Sequence, residues 1–171
     1  MRDQQLSPHV SFFQLTATSH ADLQAANREA TREEVLKLAE CANLLETCKI
    51  ILGCDIDIHS GRRNKELNDR VGSSDRSQHL KCEAADFSPA GPDTIETIHE
   101  AFDKLVAAAR AGKIKFGQLI EESSEGGREG RKVWLHISLG APYRQAARCG
   151  ECLHITVRDG KPLTEMIAKI G

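Results

Sequence analysis

The sequence predicts an α+β fold, a small antiparallel β-sheet flanked by helices, built as a single domain over residues 1–171. Three observations lead there. The periodicities run helix, strand, strand, helix, hairpin, strand, unlike the strand–helix alternation of a doubly wound parallel sheet. Both long helical stretches open on capping signals, and the hairpin turns on a Gly-rich run. No internal repeat, low-complexity stretch or composition break divides the 171 residues, and 40% hydrophobic with 28% charged is an ordinary globular balance.

The elements follow in order. Residues 1–30 show only an apolar patch at Val10, Phe12, Phe13 and Leu15, and are expected to be an irregular N-terminal segment. Thr31 with Glu34 makes a capping box; Val35, Leu38, Ala42 and Leu45 recur at helical spacing, predicting a helix over about residues 32–52 that stops at Gly53. Asp55–His59 alternates like a half-buried strand and ends in Ser60-Gly61. Residues 60–78 form a long polar connection with a short helix near Lys65–Arg70. Glu83–Ser88 predicts a strand of little side-chain volume. Asp93, with Glu96, is the expected cap of a second helix whose face is Ile95, Ile98, Phe102, Leu105 and Ala109, up to Gly112. Ile114–Glu121 and Lys132–Leu139 then pair across the run at 123–130, and Leu153–Val157 turns at Asp159-Gly160 into a C-terminal segment.

Charge excludes several functions. With 23 Lys+Arg against 25 Asp+Glu, the net charge of -2 argues against dedicated nucleic-acid binding and against an electrostatically held membrane protein. Aromatics at 4% leave little for base stacking. No apolar run is long enough to span a bilayer, and the N-terminus lacks a secretory pattern, so synthesis in a reducing cytosol is expected. Cys41, Cys48 and Cys54 are accordingly expected as buried free thiols.

Chemistry concentrates at three residues. Asp86 lies among Ala84, Ala85 and Phe87, and His136 lies in the apolar run Val133–Ser138. A carboxylate and an imidazole buried in such settings are costly unless each meets a partner. His79, separated from Asp86 by six residues in the chain's polar connection, completes a His/Asp/His set. Three protein ligands and one position left to water is the count of a catalytic zinc, which acidifies a water to a pKa of about 7.

The runs Ser60-Gly61-Arg62-Arg63, Ser77-Gln78-His79-Leu80-Lys81-Cys82-Glu83-Ala84-Ala85-Asp86 and Trp134-Leu135-His136-Ile137-Ser138 carry a resemblance. Together they resemble the zinc D-Ala-D-Ala carboxypeptidase family, in its small single-domain branch among phage and prophage cell-wall peptidases, over most of the chain. The resemblance implies the DD-peptidase/Hedgehog-like fold, one zinc ion per chain held by His79, Asp86 and His136, and the peptidoglycan stem peptide as substrate. It makes Arg63 the group that polarises the scissile carbonyl or binds a substrate carboxylate, and Ser77 a substrate hydrogen-bond donor. The activity implied is hydrolysis of D-Ala-D-Ala or cross-link bonds. The alternatives are an L-alanyl-D-glutamate endopeptidase, or a non-catalytic wall-binding or virion domain. Action at the wall implies phage-type release or carriage on a virion. Oligomeric state is not specified.

Four positions depart from the family pattern. Arg62 replaces a tyrosine, and Cys82 replaces a glycine, either tolerating a backbone outside the left-handed region or adding a soft ligand. Val133 stands where several branches carry an acid, and Gly117 departs within the segment Phe116–Glu122. In that segment an even register puts Gln118, Ile120 and Glu122 on the face of Trp134 and His136, making Glu122 the candidate general base and Gln118 a substrate contact. A one-residue slip substitutes Glu121, and both are solvated carboxylates if neither works as a base. Cys149 and Cys152, with His154 nearby, are two free thiols, a disulfide formed outside the cell, or half a zinc knuckle. His9, His20 and His99 are expected at the surface, and His59 beside the first motif.

Overall fold

Thr31 opens the longest helix as its spacing predicts, its hydroxyl accepting from the Glu34 amide while the Glu34 carboxylate accepts from the Thr31 amide. In this computed structural model, which describes residues 2–92, 94–125, 132–158 and 161–171, five α-helices surround one sheet. They are α1 (Phe12–Leu15), α2 (Gln24–Asn27), α3 (Arg32–Leu52), α4 (Lys65–Arg70) and α5 (Ile95–Arg110). The strands are β1 (Ile56–Ser60), β2 (Ala84–Pro89), β3 (Gln118–Glu125), β4 (Lys132–Ser138), β5 (Glu151–Arg158) and β6 (Lys161–Lys169).

The sheet has six strands in the order β1-β2-β4-β3-β5-β6. It is mixed, not wholly antiparallel: β3 and β5 run parallel, because the chain after β4 crosses back and seats β5 against β3. The C-terminal segment is a further strand, β6, antiparallel to β5. Leu163, Met166 and Ile167 do not alternate, and all three are exposed on this edge, so period two is absent from the sequence there.

Helices α3 and α5 cover one face. Leu38, Cys41, Ala42, Leu45 and Cys48 of α3 and Ile98, Phe102 and Leu105 of α5 pack with Phe87, Leu119, Leu135 and Ile137 from the sheet. Strand β2 is buried along its whole length, which explains its small residues. Asp93 lies outside the described residues, as do Asp159, Gly160 and residues 126–131 of the hairpin run. Helix α5 is capped instead by Thr94, whose hydroxyl accepts from the Thr97 amide.

The first 30 residues are more ordered than their sequence suggests. Ser11 and Gln14 form a capping box on α1, which buries Phe12 and Leu15, and Ala21–Leu23 makes a turn of 3-10 helix before α2. Its end holds Asn27, fully buried, whose amide donates to the carbonyls of Thr16 and Arg62 (2.9 Å each) while its oxygen accepts from the Asn64 amide (2.8 Å). One side chain therefore fixes the backbone on both sides of Arg63. Among the described residues no helix is long and apolar enough to cross a membrane.

Candidate metal centre

The face of the sheet opposite α3 and α5 carries Asp86 and His136, which sit directly across from each other on β2 and β4. His79 reaches them from a turn of 3-10 helix at Gln78–Lys81. All three side chains are buried and their ligand atoms converge: His79 Nε2 lies 3.2 Å from Asp86 Oδ1 and 3.2 Å from His136 Nδ1, and His136 Nδ1 lies 2.8 Å from Asp86 Oδ1. Such a group can hold a metal ion.

The other nitrogen of each ring is held by a neighbour, which fixes the nitrogen each ring presents. His79 Nδ1 donates to the Gly61 carbonyl at 2.6 Å. Gly61 is needed there: a Cβ would stand 2.4 Å from the Leu15 carbonyl oxygen, so a larger residue would push this loop away from α1. His136 Nε2 is 3.2 Å from Gln78 Oε1, and the Gln78 amide donates to Ser138 Oγ (2.9 Å). Gln78 was not singled out from the sequence, although it stands beside the first ligand in the quoted motif; its orienting role depends on a contact 58 residues away.

Burial works against ionisation of Asp86, but the two imidazoles override it and hold its carboxyl well below the usual range. Arg63 Nη2 donates to Asp86 Oδ2 (2.6 Å) and its Nε to Ser60 Oγ (2.9 Å), so the guanidinium is a fixed cation at the edge of the cluster. The Ser77 hydroxyl oxygen accepts from the His79 amide (3.3 Å), capping the turn that carries the ligand.

Register separates the two glutamates. Ile120 lies opposite His136 and Glu122 opposite Trp134, which puts Glu122 on the face of the cluster. Burial and the Asp86 charge raise its pKa, against the opposing pull of His136, Arg63 and the Trp134 indole. Glu121 points to the other face, where its carboxylate accepts from His99 (2.8 Å). Gln118 is drawn away from the cluster, its amide donating to Glu151 Oε2 (2.8 Å). Val133 is buried in the core, and the position offers no acid to the cluster.

Positions 62 and 82 are both buried. Cys82 keeps the left-handed backbone (φ 58°) that favours glycine, and burial pushes its thiol up to about 12. It is not among the converging ligands. Arg62 is itself buried, donating to the Asn27 carbonyl (2.9 Å) and to Glu34 (3.3 Å). All six cysteines are free, so Cys149 and Cys152 form no disulfide; Cys41 and Cys48 are buried as expected, but Cys54 is exposed, because it follows Gly53 past the end of α3; Cys152 is buried in β5, and His154 turns toward Glu121. His59 bonds Ser88 (2.8 Å) and His9 pairs with Glu46 (2.9 Å).

Two histidines with their outer nitrogens tied down, an aspartate, a flanking arginine and a half-buried glutamate make the kind of site metallopeptidases use. A model of the Peptidase M15 family matches residues 13–138, and the chain belongs to this metallopeptidase family. No curated protein matches the chain.

Proposed function

We propose that the chain is a zinc-dependent peptidase of the peptidoglycan stem peptide, hydrolysing a D-Ala-D-Ala or cross-link bond, with one zinc ion at His79, Asp86 and His136. The observation that carries this is the convergence of three ligand atoms within 3.2 Å while Gly61 and Gln78 hold the outer ring nitrogens. Two imidazoles and one carboxylate suit zinc, leaving one position open. Bound there, zinc supplies Lewis acidity and a water acidic enough to ionise near neutral pH.

The chain's own groups supply the remainder. Glu122 takes a proton from the attacking water at its carboxylate and passes it to the departing amine; its raised pKa moves it toward the working pH. Arg63, locked by Ser60 and Asp86, receives the developing oxyanion or a substrate carboxylate. The Ser77 hydroxyl keeps its proton for a substrate acceptor while its oxygen caps the turn. Site of action is the cell wall, reached by phage-type release or on a virion.

Mass spectrometry of purified stem peptides and cross-linked wall fragments after incubation with the zinc-loaded chain tests this reading. Loss of a terminal D-Ala, or cleavage at a cross-link, is the expected product. Cleavage between L-Ala and D-Glu replaces it with the endopeptidase alternative, and wall binding without any product leaves the non-catalytic domain.

A further inference from the structure

The helix-covered face of the sheet holds a second cluster of ligand-type side chains, independent of the proposed peptidase site. His99 comes from α5, Glu121 from β3 and His154 from β5, the last two being direct partners in the parallel ladder. His99 Nδ1 is 2.8 Å from Glu121 Oε2, and His154 Nε2 is 3.4 Å from that same oxygen. All three offer ligand atoms within 4.8 Å of one another. In a tetrahedral zinc site with bonds of about 2.0–2.1 Å, ligand atoms stand about 3.4 Å apart. The 3.4 Å between His154 Nε2 and Glu121 Oε2 matches that spacing, and the 2.8 Å between His99 Nδ1 and Glu121 Oε2 equals the shortest separation in the front cluster.

Two further details favour an ion over a plain ion pair. His154 Nε2 is shielded from solvent and lies 3.4 Å from Glu121 Oε2, yet makes no hydrogen bond, an unfavourable state for a buried imidazole nitrogen. His99 turns its other nitrogen toward Asp103 Oδ2 at 3.8 Å, one helical turn along α5, where a carboxylate backs a metal-bound imidazole. Phe102 packs on the His154 ring at 4.9 Å between centroids and fixes its orientation. His154 also lies beyond the residues that the family model matches, 13–138.

We propose that His99, Glu121 and His154 bind a second divalent transition-metal ion of the zinc class, tying α5 to β3 and β5. Two imidazoles with one carboxylate select such an ion over magnesium or calcium, which prefer all-oxygen shells.

Equilibrium dialysis of the full chain against Zn2+, with bound metal counted by plasma mass spectrometry, tests the site. About two ions per chain are expected in the unaltered protein, and about one in His99→Ala and in His154→Ala. His79→Ala/His136→Ala should also keep about one ion, lost when His99→Ala is added. His99 is half exposed, so its replacement spares the core; Asp103→Asn should weaken the rear ion about tenfold without touching a ligand. A count of one in the unaltered chain that vanishes in His79→Ala/His136→Ala overturns the second site and leaves the peptidase site standing. A count of one that vanishes only in His99→Ala supports the second site and removes the metal from the proposed peptidase. Two ions persisting in both His99→Ala and His154→Ala overturn the assignment of these ligands.

Discussion

The two faces of the central sheet carry the same donor types, two histidines and a carboxylate, in unequal surroundings. On the front, His79, Asp86 and His136 are all buried, both outer ring nitrogens are held, and Arg63 and Glu122 stand alongside. On the rear, His99 is half exposed, and its imidazole pKa is raised by its hydrogen bond to Glu121. The front therefore has a cation and a spare acid in addition to its ligands, which a reaction needs; the rear cluster has ligands and a backing carboxylate, which suffice for binding. Neighbouring residues Glu121 and Glu122 are assigned to different faces by the two-residue period of β3 alone.

The sharpest way to break that asymmetry is to neutralise each glutamate in turn. Glu122→Gln should keep front-site metal yet lose about 10²–10⁴ of turnover, the range of a general base. Glu121→Gln should lower turnover far less and instead reduce metal bound at the rear. Steady-state rates on a stem-peptide substrate, with metal counted in parallel, decide it. Equal losses of turnover from both changes would erase the functional distinction between the faces.

The front cluster was legible because Asp86 and His136 stand out from small-residue and apolar surroundings, while His79, in a polar run, was picked out by the family resemblance of its motif. The even register of β3 and β4 was legible too, since alternation and a hairpin leave few options. What was hidden depends on distant contacts. Gln78 and Gly61 orient the rings through partners far along the chain, and Arg62 finds Asn27 and Glu34 only once the chain folds. His99 looked like a surface residue, and His154 a neighbour of two cysteines, because the crossing that puts β5 beside β3 leaves no local signal.

Asn27 sharpens the contrast from the side of the front site. Its amide and oxygen satisfy the Thr16 and Arg62 carbonyls in a buried setting and the Asn64 amide in a part-buried one. Asn27→Ala strands the Arg62 carbonyl and the Asn64 amide, the Thr16 carbonyl keeping its bond from Gln24, and should cost about 3 kcal/mol by chemical denaturation, at about 1–3 kcal/mol for each group left unpaired. Because Arg63 lies between two of those anchors, turnover should fall about tenfold or more through misplacement. Metal binding at the rear cluster should be unaffected. Loss of rear metal in this variant would mean that the two faces are coupled through the core.

The smallest effect concerns what the front site costs the fold. Burial and the Asp86 charge raise the Glu122 pKa above its unfolded value, so the folded chain binds this proton more tightly than the unfolded one. Stability from this group is therefore highest at low pH and declines as pH rises from the unfolded pKa of about 4.3 through the folded one. Glu122→Gln removes the penalty, so the metal-free variant should melt above the metal-free parent at neutral pH, with the gap closing toward pH 4. Thermal melts of the two metal-free proteins across pH 4–8 measure the gap. A parent more stable than the variant at neutral pH would show that Glu122 is held ionised by its cationic neighbours, and the front carboxylate would then resemble its rear counterpart, an anion with a structural partner.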